Sequence, residues 1–178
     1  MELREKTIGS EVVFKGKVLT VKKKEVLLPD GSTSTREVVV HPGAVAVVAL
    51  DEENHLYLVE QYRSPLERTL LELPAGKLDA GENPKDCASR ELAEEIGKAP
   101  EELTLLSSIY VSPGYTDEKI HIFLATALRD VPKIDVPGEF LTVKRIPLAL
   151  LPALIEEGKI EDGKTLLGVC LALNKLQV

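Results

Sequence analysis

The chain has 178 residues and a formal net charge of −7, from 29 acidic and 22 basic side chains. Its 44 % hydrophobic and 29 % charged content suits one ordinary globular domain and excludes disorder throughout. So acidic a chain has no overall attraction for nucleic acid or an anionic membrane.

In chain order, residues 10–40 read as antiparallel strands. Val12-Val13-Phe14 is short and apolar, and Val18 to Leu28 is a long, partly exposed strand. Pro29-Asp30-Gly31-Ser32 is a turn signal, and Thr35 to Val40 is the returning strand. A lone ribbon cannot bury both faces, so it needs a partner surface in this chain or in a second copy. From Pro42 the texture changes. Gly43 to Leu50 is a continuous apolar run, as in a strand buried on both faces. It is far shorter than the roughly 20 residues that span a bilayer.

Strands are then expected at Leu56–Gln61 and Arg68–Leu73, followed by a polar loop from Ala75 to Glu82. Asn83 is a helix N-cap, Pro84 suits the first helical position, and Gly97 is a stop signal. Strands near Leu103–Tyr110, Ile120–Ala127 and Phe140–Ile146 follow, with helices near Leu148–Glu156 and Thr165–Lys175. The order lacks a regular βαβ alternation, so a mixed-sheet α/β or α+β sandwich fits best.

Cys87 and Cys170 belong to no CxxC or Cys/His cluster, which argues against structural zinc. Both read as reduced, buried thiols, and with the charged start from Met1 to Lys6 they point to the cytoplasm.

The helix from Pro84 to Ile96 carries the chemistry. On a helical wheel Glu94 lies about 60° to one side of Glu91 and Glu95 about 40° to the other. Ala88, Leu92 and Ile96 form the adjoining apolar stripe, so the carboxylates border buried surface. Like charges so spaced repel. Arg90 and Lys98 offset part of this, and Mg²⁺ or Mn²⁺ would do so better, because hard cations prefer carboxylate oxygens.

The run Gly76-x5-Glu82-x7-Arg90-Glu91-Leu92-x-Glu94-Glu95-x-Gly97 resembles the signature of the Nudix hydrolase superfamily, and only the final position, Lys98, departs from it. The resemblance implies an α/β/α sandwich with a mixed sheet, and hydrolysis of a nucleoside diphosphate linked to another group. It implies Glu91, Glu94, Glu95 and the carbonyl of Ala75 as metal ligands, for two or more Mg²⁺ or Mn²⁺ ions. Glu94 is alternatively a proton acceptor, and Glu82 and Arg90 are structural.

Other stretches resemble the ADP-ribose pyrophosphatase branch. These are Arg36-Glu37-Val38-Val39, His41-Pro42-Gly43-Ala44-Val45, Glu60-Gln61-Tyr62-Arg63, Glu72-Leu73-Pro74-Ala75-Gly76-Lys77 and Ser112-Pro113-Gly114-Tyr115-Thr116-Asp117-Glu118. The implied reaction is ADP-ribose plus water to AMP plus ribose 5-phosphate. Arg63 would meet phosphate, Arg36 phosphate or ribose, Glu118 a ribose hydroxyl, and Pro113 marks the substrate loop. The branch places an acidic base on a loop before the last sheet strand, here Asp135 to Phe140, with Glu139 the candidate. The catalytic set is therefore Glu94, Glu95 and Glu139.

Residues 1–41 are expected to form a dimerising strand subdomain, exchanged between two subunits, ahead of a hydrolase domain over 42–178. The alternatives are a hydrolase of another nucleoside diphosphate sugar or dinucleoside polyphosphate, or a non-catalytic nucleotide sensor on the same fold.

Overall fold

The computed structural model describes residues 3–134 and 136–176; Met1, Glu2, Asp135, Gln177 and Val178 lie outside it. The chain divides into two compact units.

The first unit comprises Met1–Gly43 and Tyr110–Lys119. Its strands β1 (Lys6–Lys15), β2 (Thr20–Leu27) and β3 (Thr33–Val40) form an antiparallel sheet in sequential order. Asp30 closes the β2–β3 turn by accepting hydrogen bonds from the backbone N–H and the hydroxyl of Ser32. The segment after Tyr110 joins β3 through a parallel bridge between Val39 and Thr116.

The second unit comprises Ala44–Ile109 and Ile120–Val178. Its centre is β4 (Ala44–Leu50), every residue of which is buried. Alternate side chains explain why. Ala44, Ala46, Val48 and Leu50 join one core cluster, while Val45, Val47 and Ala49 join another. Around it stand β5 (His55–Arg63), β6 (Arg68–Glu72) and β7 (Ala75–Lys77). The helix α1 (Pro84–Ile96) follows, then β8 (Lys98–Tyr110), β9 (Lys119–Asp130) and β10 (Leu141–Pro147). The main path is β10-β5-β4-β9-β8, with β6 paired to β5 and β7 to β4. The pairing of β4 with β9 is parallel and that with β5 and β7 antiparallel, so the sheet is mixed. The short α2 (Leu151–Glu156) and α3 (Gly163–Leu176) complete the chain. Residues of α2 and α3 fill one core cluster and residues of α1 the other, so helices cover both sheet faces in an α/β/α sandwich.

The ends of α1 follow local chemistry. Asn83 accepts a hydrogen bond from the Lys85 N–H, Pro84 occupies the first turn, and Asp86 sits where the helix dipole favours an anion. Gly97 closes the helix in the left-handed region at φ 65°. Leu92 is fully buried, which contributes roughly 1.5–3 kcal/mol.

Three expectations need correction. Ala75 to Lys77 is a strand instead of loop, because it pairs with Ala44–Ala46, a contact no local pattern announces. The single helix expected over 148–156 is a 3₁₀ turn, Leu148–Leu150, followed by α2, with Pro152 at its start. Cys170 is exposed, because α3 turns Thr165, Gly168, Val169 and Ala172 inward instead. Among the described residues no helix is long and apolar enough to cross a membrane.

Candidate functional site

On α1, Glu91 and Glu95 lie one turn apart and are only 7 % and 5 % exposed. They do more than border the apolar stripe: they share the buried face with Ala88 and Leu92. Carboxyl groups so placed are uncommon in a core and mark a site with a stated electrostatic need.

Glu91 lies against β7. A Cβ built on Gly76 would fall 1.8 Å from Glu91 Oε1 and 1.9 Å from its Cδ. Gly76 is not among the positive-φ residues, so its lack of a side chain serves the carboxylate and not the backbone. Its neighbour Ala75 donates its N–H to Glu95 Oε2 at 3.0 Å. One short strand thus seats both buried carboxylates.

Arg90 gathers the rest of the acidic cluster. Its Nη1 donates to Glu91 at 2.6 Å and to Glu94 at 3.2 Å. Its Nε and Nη2 grip the two oxygens of Glu82 at 2.9 and 3.0 Å. The guanidinium lowers the Glu82 carboxyl to about 2. Burial raises Glu91 despite Arg90. Glu95 rises to about 8, first through burial; the Ala75 N–H opposes this, while the charges of Glu91 and Glu139 add to it. Cys87, beneath Arg90, is pushed to about 12 chiefly by burial, so its thiol stays protonated.

Glu139 is exposed in the loop between β9 and β10, and its N–H donates to Val136 O at 3.2 Å. With Glu94, Lys133, Gly138 and Phe140 it lines a small cleft. Lys98, the departure from the signature, binds Asp130 at 2.6 Å and lies over the Tyr57 ring, away from these contacts.

Among the described residues no three acidic, His or Cys side chains already close on a common point as a preformed cation cage. The donor set nevertheless suits a hard divalent cation. It offers carboxylate oxygens and a neighbouring backbone carbonyl, with two buried carboxyls whose ionisation calls for more positive charge than Arg90 supplies.

At the end of β5, Arg63 is clamped by Glu72, whose Oε1 accepts from Nε at 2.6 Å and Oε2 from Nη2 at 2.7 Å. The charge of Arg63 also acts on Glu95. Glu72 is fully buried and takes a second cation, Lys164. Sequence reasoning missed Lys164, which carries no local motif and stands 92 positions beyond its partner.

Arg36, Pro113 and Glu118 belong to the first unit, whereas the carboxylates of α1 belong to the second. Arg36 is held by Glu5, Ser34 and the carbonyl of Thr35. Pro113 sits in a turn where Tyr115 and Thr116 both donate to Ser112 O at 3.1 Å. Glu118 lies 3.6 Å from His41 Nδ1.

Residues 40–167 match the family described as "NUDIX domain", and residues 5–39 match "Nucleoside diphosphate sugar hydrolase N-terminal domain". An ADP-ribose pyrophosphatase of Bacillus subtilis is 45 % identical, over 92 % of this chain and 89 % of that protein. A methanol dehydrogenase activator of Bacillus methanolicus is 46 % identical, over 93 % and 90 %. A crystal structure of an ADP compounds hydrolase superposes with a TM-score of 0.89 at 26 % identity, covering 99 % of this chain and 97 % of that one.

Proposed function

The chain belongs to the NUDIX domain family, and from that premise we propose that it hydrolyses ADP-ribose to AMP and ribose 5-phosphate with the aid of divalent cations. The observation that carries the reading is the pair of buried carboxylates, Glu91 and Glu95, seated on Ala75–Gly76. The likeness to an ADP-ribose pyrophosphatase over 92 % of the chain supports the choice of substrate.

Glu91, Glu94, Glu95 and the carbonyl of Ala75 would hold Mg²⁺ or Mn²⁺. Bound there, the ions supply neutralisation of the pyrophosphate oxygens and Lewis acidity toward water. The chain's own groups do the rest. Arg90 keeps Glu82, Glu91 and Glu94 in register, opposing their mutual repulsion. Arg63 offers a planar guanidinium to a phosphate, a geometry suited to two-point contact. Glu139 on its loop, or Glu94 at the helix, accepts the proton of the attacking water. On the same reading Arg36 meets phosphate or ribose, Glu118 accepts from a ribose hydroxyl, and Pro113 shapes the substrate loop.

A substrate panel tests this directly. The chain is incubated with Mg²⁺ or Mn²⁺ and ADP-ribose, GDP-mannose or a dinucleoside polyphosphate, and the nucleotide products are identified. The expected result is AMP from ADP-ribose at the highest kcat/KM. ADP-ribose left intact while another substrate is cleaved would move the assignment within the family. The Bacillus methanolicus relative favours a second reading, activation of a methanol dehydrogenase, tested by adding this chain to such an enzyme.

The reading includes a cytoplasmic homodimer joined through the first unit. Ile8, Val12, Val13, Phe14 and Val18 are each about half exposed there, an apolar surface that a second copy would cover. Val12→Lys combined with Phe14→Glu is expected to shift sedimentation from dimer to monomer; a variant still dimeric would place the interface elsewhere.

A further inference from the structure

The cluster around Glu72 is more heavily built than a salt bridge requires. The carboxylate is fully buried, yet it serves two cations. Arg63 takes both oxygens through Nε and Nη2, and Lys164 Nζ bonds to Oε2. Lys164 also meets Asp162 at 3.0 Å and is only 12 % exposed.

Its position runs against local preference. Lys164 lies in the first turn of α3, where the helix dipole disfavours a cation. That turn is itself anchored. Asp162 accepts from the Thr165 N–H at 3.0 Å and from its hydroxyl at 2.6 Å, and the Thr165 hydroxyl oxygen accepts from the Leu73 N–H at 2.9 Å. Thr165 therefore docks the helix on the residue after Glu72 without needing Lys164. A lysine desolvated against the dipole, beside an anchor that is already complete, breaks a local rule with no gain to the helix.

The gain falls on Arg63. Two of its nitrogens lie in the Glu72 clamp, Nη1 takes no part in it, and the side chain is 39 % exposed. Without Lys164, Arg63 would face Glu72 and Asp162 alone, a net negative group where a phosphate is to approach. With Lys164, the cluster is neutral, and the Glu72 Oε2 that accepts from Arg63 Nη2 is held by a second cation.

We propose that Lys164 is a positioning residue for Arg63, acting through Glu72. It binds Glu72 Oε2, holds the carboxylate that orients the guanidinium, and offsets the negative charge that would otherwise repel the diphosphate. The proposal rests on the reading that Arg63 meets substrate phosphate.

The test uses the full chain. Lys164→Met, Lys164→Gln and Lys164→Arg are made alone, and Lys164→Met is also made with Glu72→Gln. KM and kcat for ADP-ribose are measured, together with the Arg63 Nε–H resonance in protein carrying ¹⁵N-arginine. Lys164→Met and Lys164→Gln are expected to raise KM about tenfold, as for loss of a hydrogen bond to a charged group, while kcat falls by less than about threefold. The Arg63 Nε–H should lose its exchange protection in both. Lys164→Arg should restore KM to within about threefold. In the Glu72→Gln background Lys164→Met should add almost nothing, because the shared partner is gone. A lowered Tm with KM and the Arg63 resonance unchanged would reduce Lys164 to a structural strap and overturn the proposal, as would an undiminished effect in the Glu72→Gln background. If the wild-type chain leaves ADP-ribose uncleaved, the functional reading fails. The Arg63 resonance then decides the positioning role by itself, its loss supporting the role and its retention refuting it.

Discussion

Glu95→Gln is expected to abolish hydrolysis while making the metal-free protein more stable at pH 8. The two effects have one cause. Glu95 is buried with a backbone N–H as its donor, and its carboxyl titrates near 8 instead of near 4.5. Folding therefore favours the protonated form. Below pH 4.5 both folded and unfolded chains keep the proton and Glu95 does not affect stability. Between 4.5 and 8 the unfolded chain releases it first, so stability falls as pH rises, and above 8 the full penalty is present. That penalty is at most about 5 kcal/mol on the scale of 1.36 kcal/mol per pKa unit.

Glutamine keeps an oxygen for the Ala75 N–H and never ionises, so it removes the penalty. In EDTA at pH 8 its Tm should exceed that of wild type by several degrees, and the difference should vanish near pH 4.5. With Mg²⁺ the wild type should recover, since a ligand that binds only the folded state stabilises it, whereas the variant should respond weakly. Turnover should drop by at least about 100-fold, beyond the usual effect of losing a supporting partner of a metal ligand. Glu91→Gln should reduce turnover comparably. If neither change lowered turnover of any nucleotide substrate by about tenfold, this helix would not be the catalytic centre.

Gly76→Ala should damage both fold and activity, although it adds one methyl group. The new Cβ would need the space held by the Glu91 carboxylate, 1.8 Å from Oε1. Glu91 would have to leave its seat and its 2.6 Å bond from Arg90. The cost should be roughly 1–3 kcal/mol, typical of overpacking at a tight site, with turnover falling as in Glu91→Gln. A double-mutant cycle isolates the clash. In a Glu91→Ala background Gly76→Ala should cost little stability, because the opposing carboxylate is gone. An equal stability loss in both backgrounds would mean that Gly76 answers to something other than Glu91.

The legible parts of this protein were those with local causes. The helix α1 announces itself through Asn83, Pro84 and Gly97, each acting within one turn of the helix end. The central strand is legible because an apolar run of that length has to be covered on both faces. The spacing of Glu91, Glu94 and Glu95 follows from helical pitch alone. By contrast, β7 is three residues long and exists only because β4 pairs with it. Residues 79–102 hold eight acidic and three basic side chains, a stretch of −5 within a chain of −7. The order of residues locates that charge, yet it does not say which carboxylates are buried.

The sequence by itself therefore determined the family and the register of the acidic helix, because these depend on residue type and short spacing. Only the tertiary structure decided that Glu91 and Glu95 are buried, that Gly76 makes room for one of them, and that Arg63 shares a buried carboxylate with Lys164. Each of these depends on a contact between residues 15 or more positions apart (Gly76 with Glu91, Ala75 with Glu95, Glu72 with Lys164), and such meetings are set by how sheet and helices pack, which no local spacing encodes.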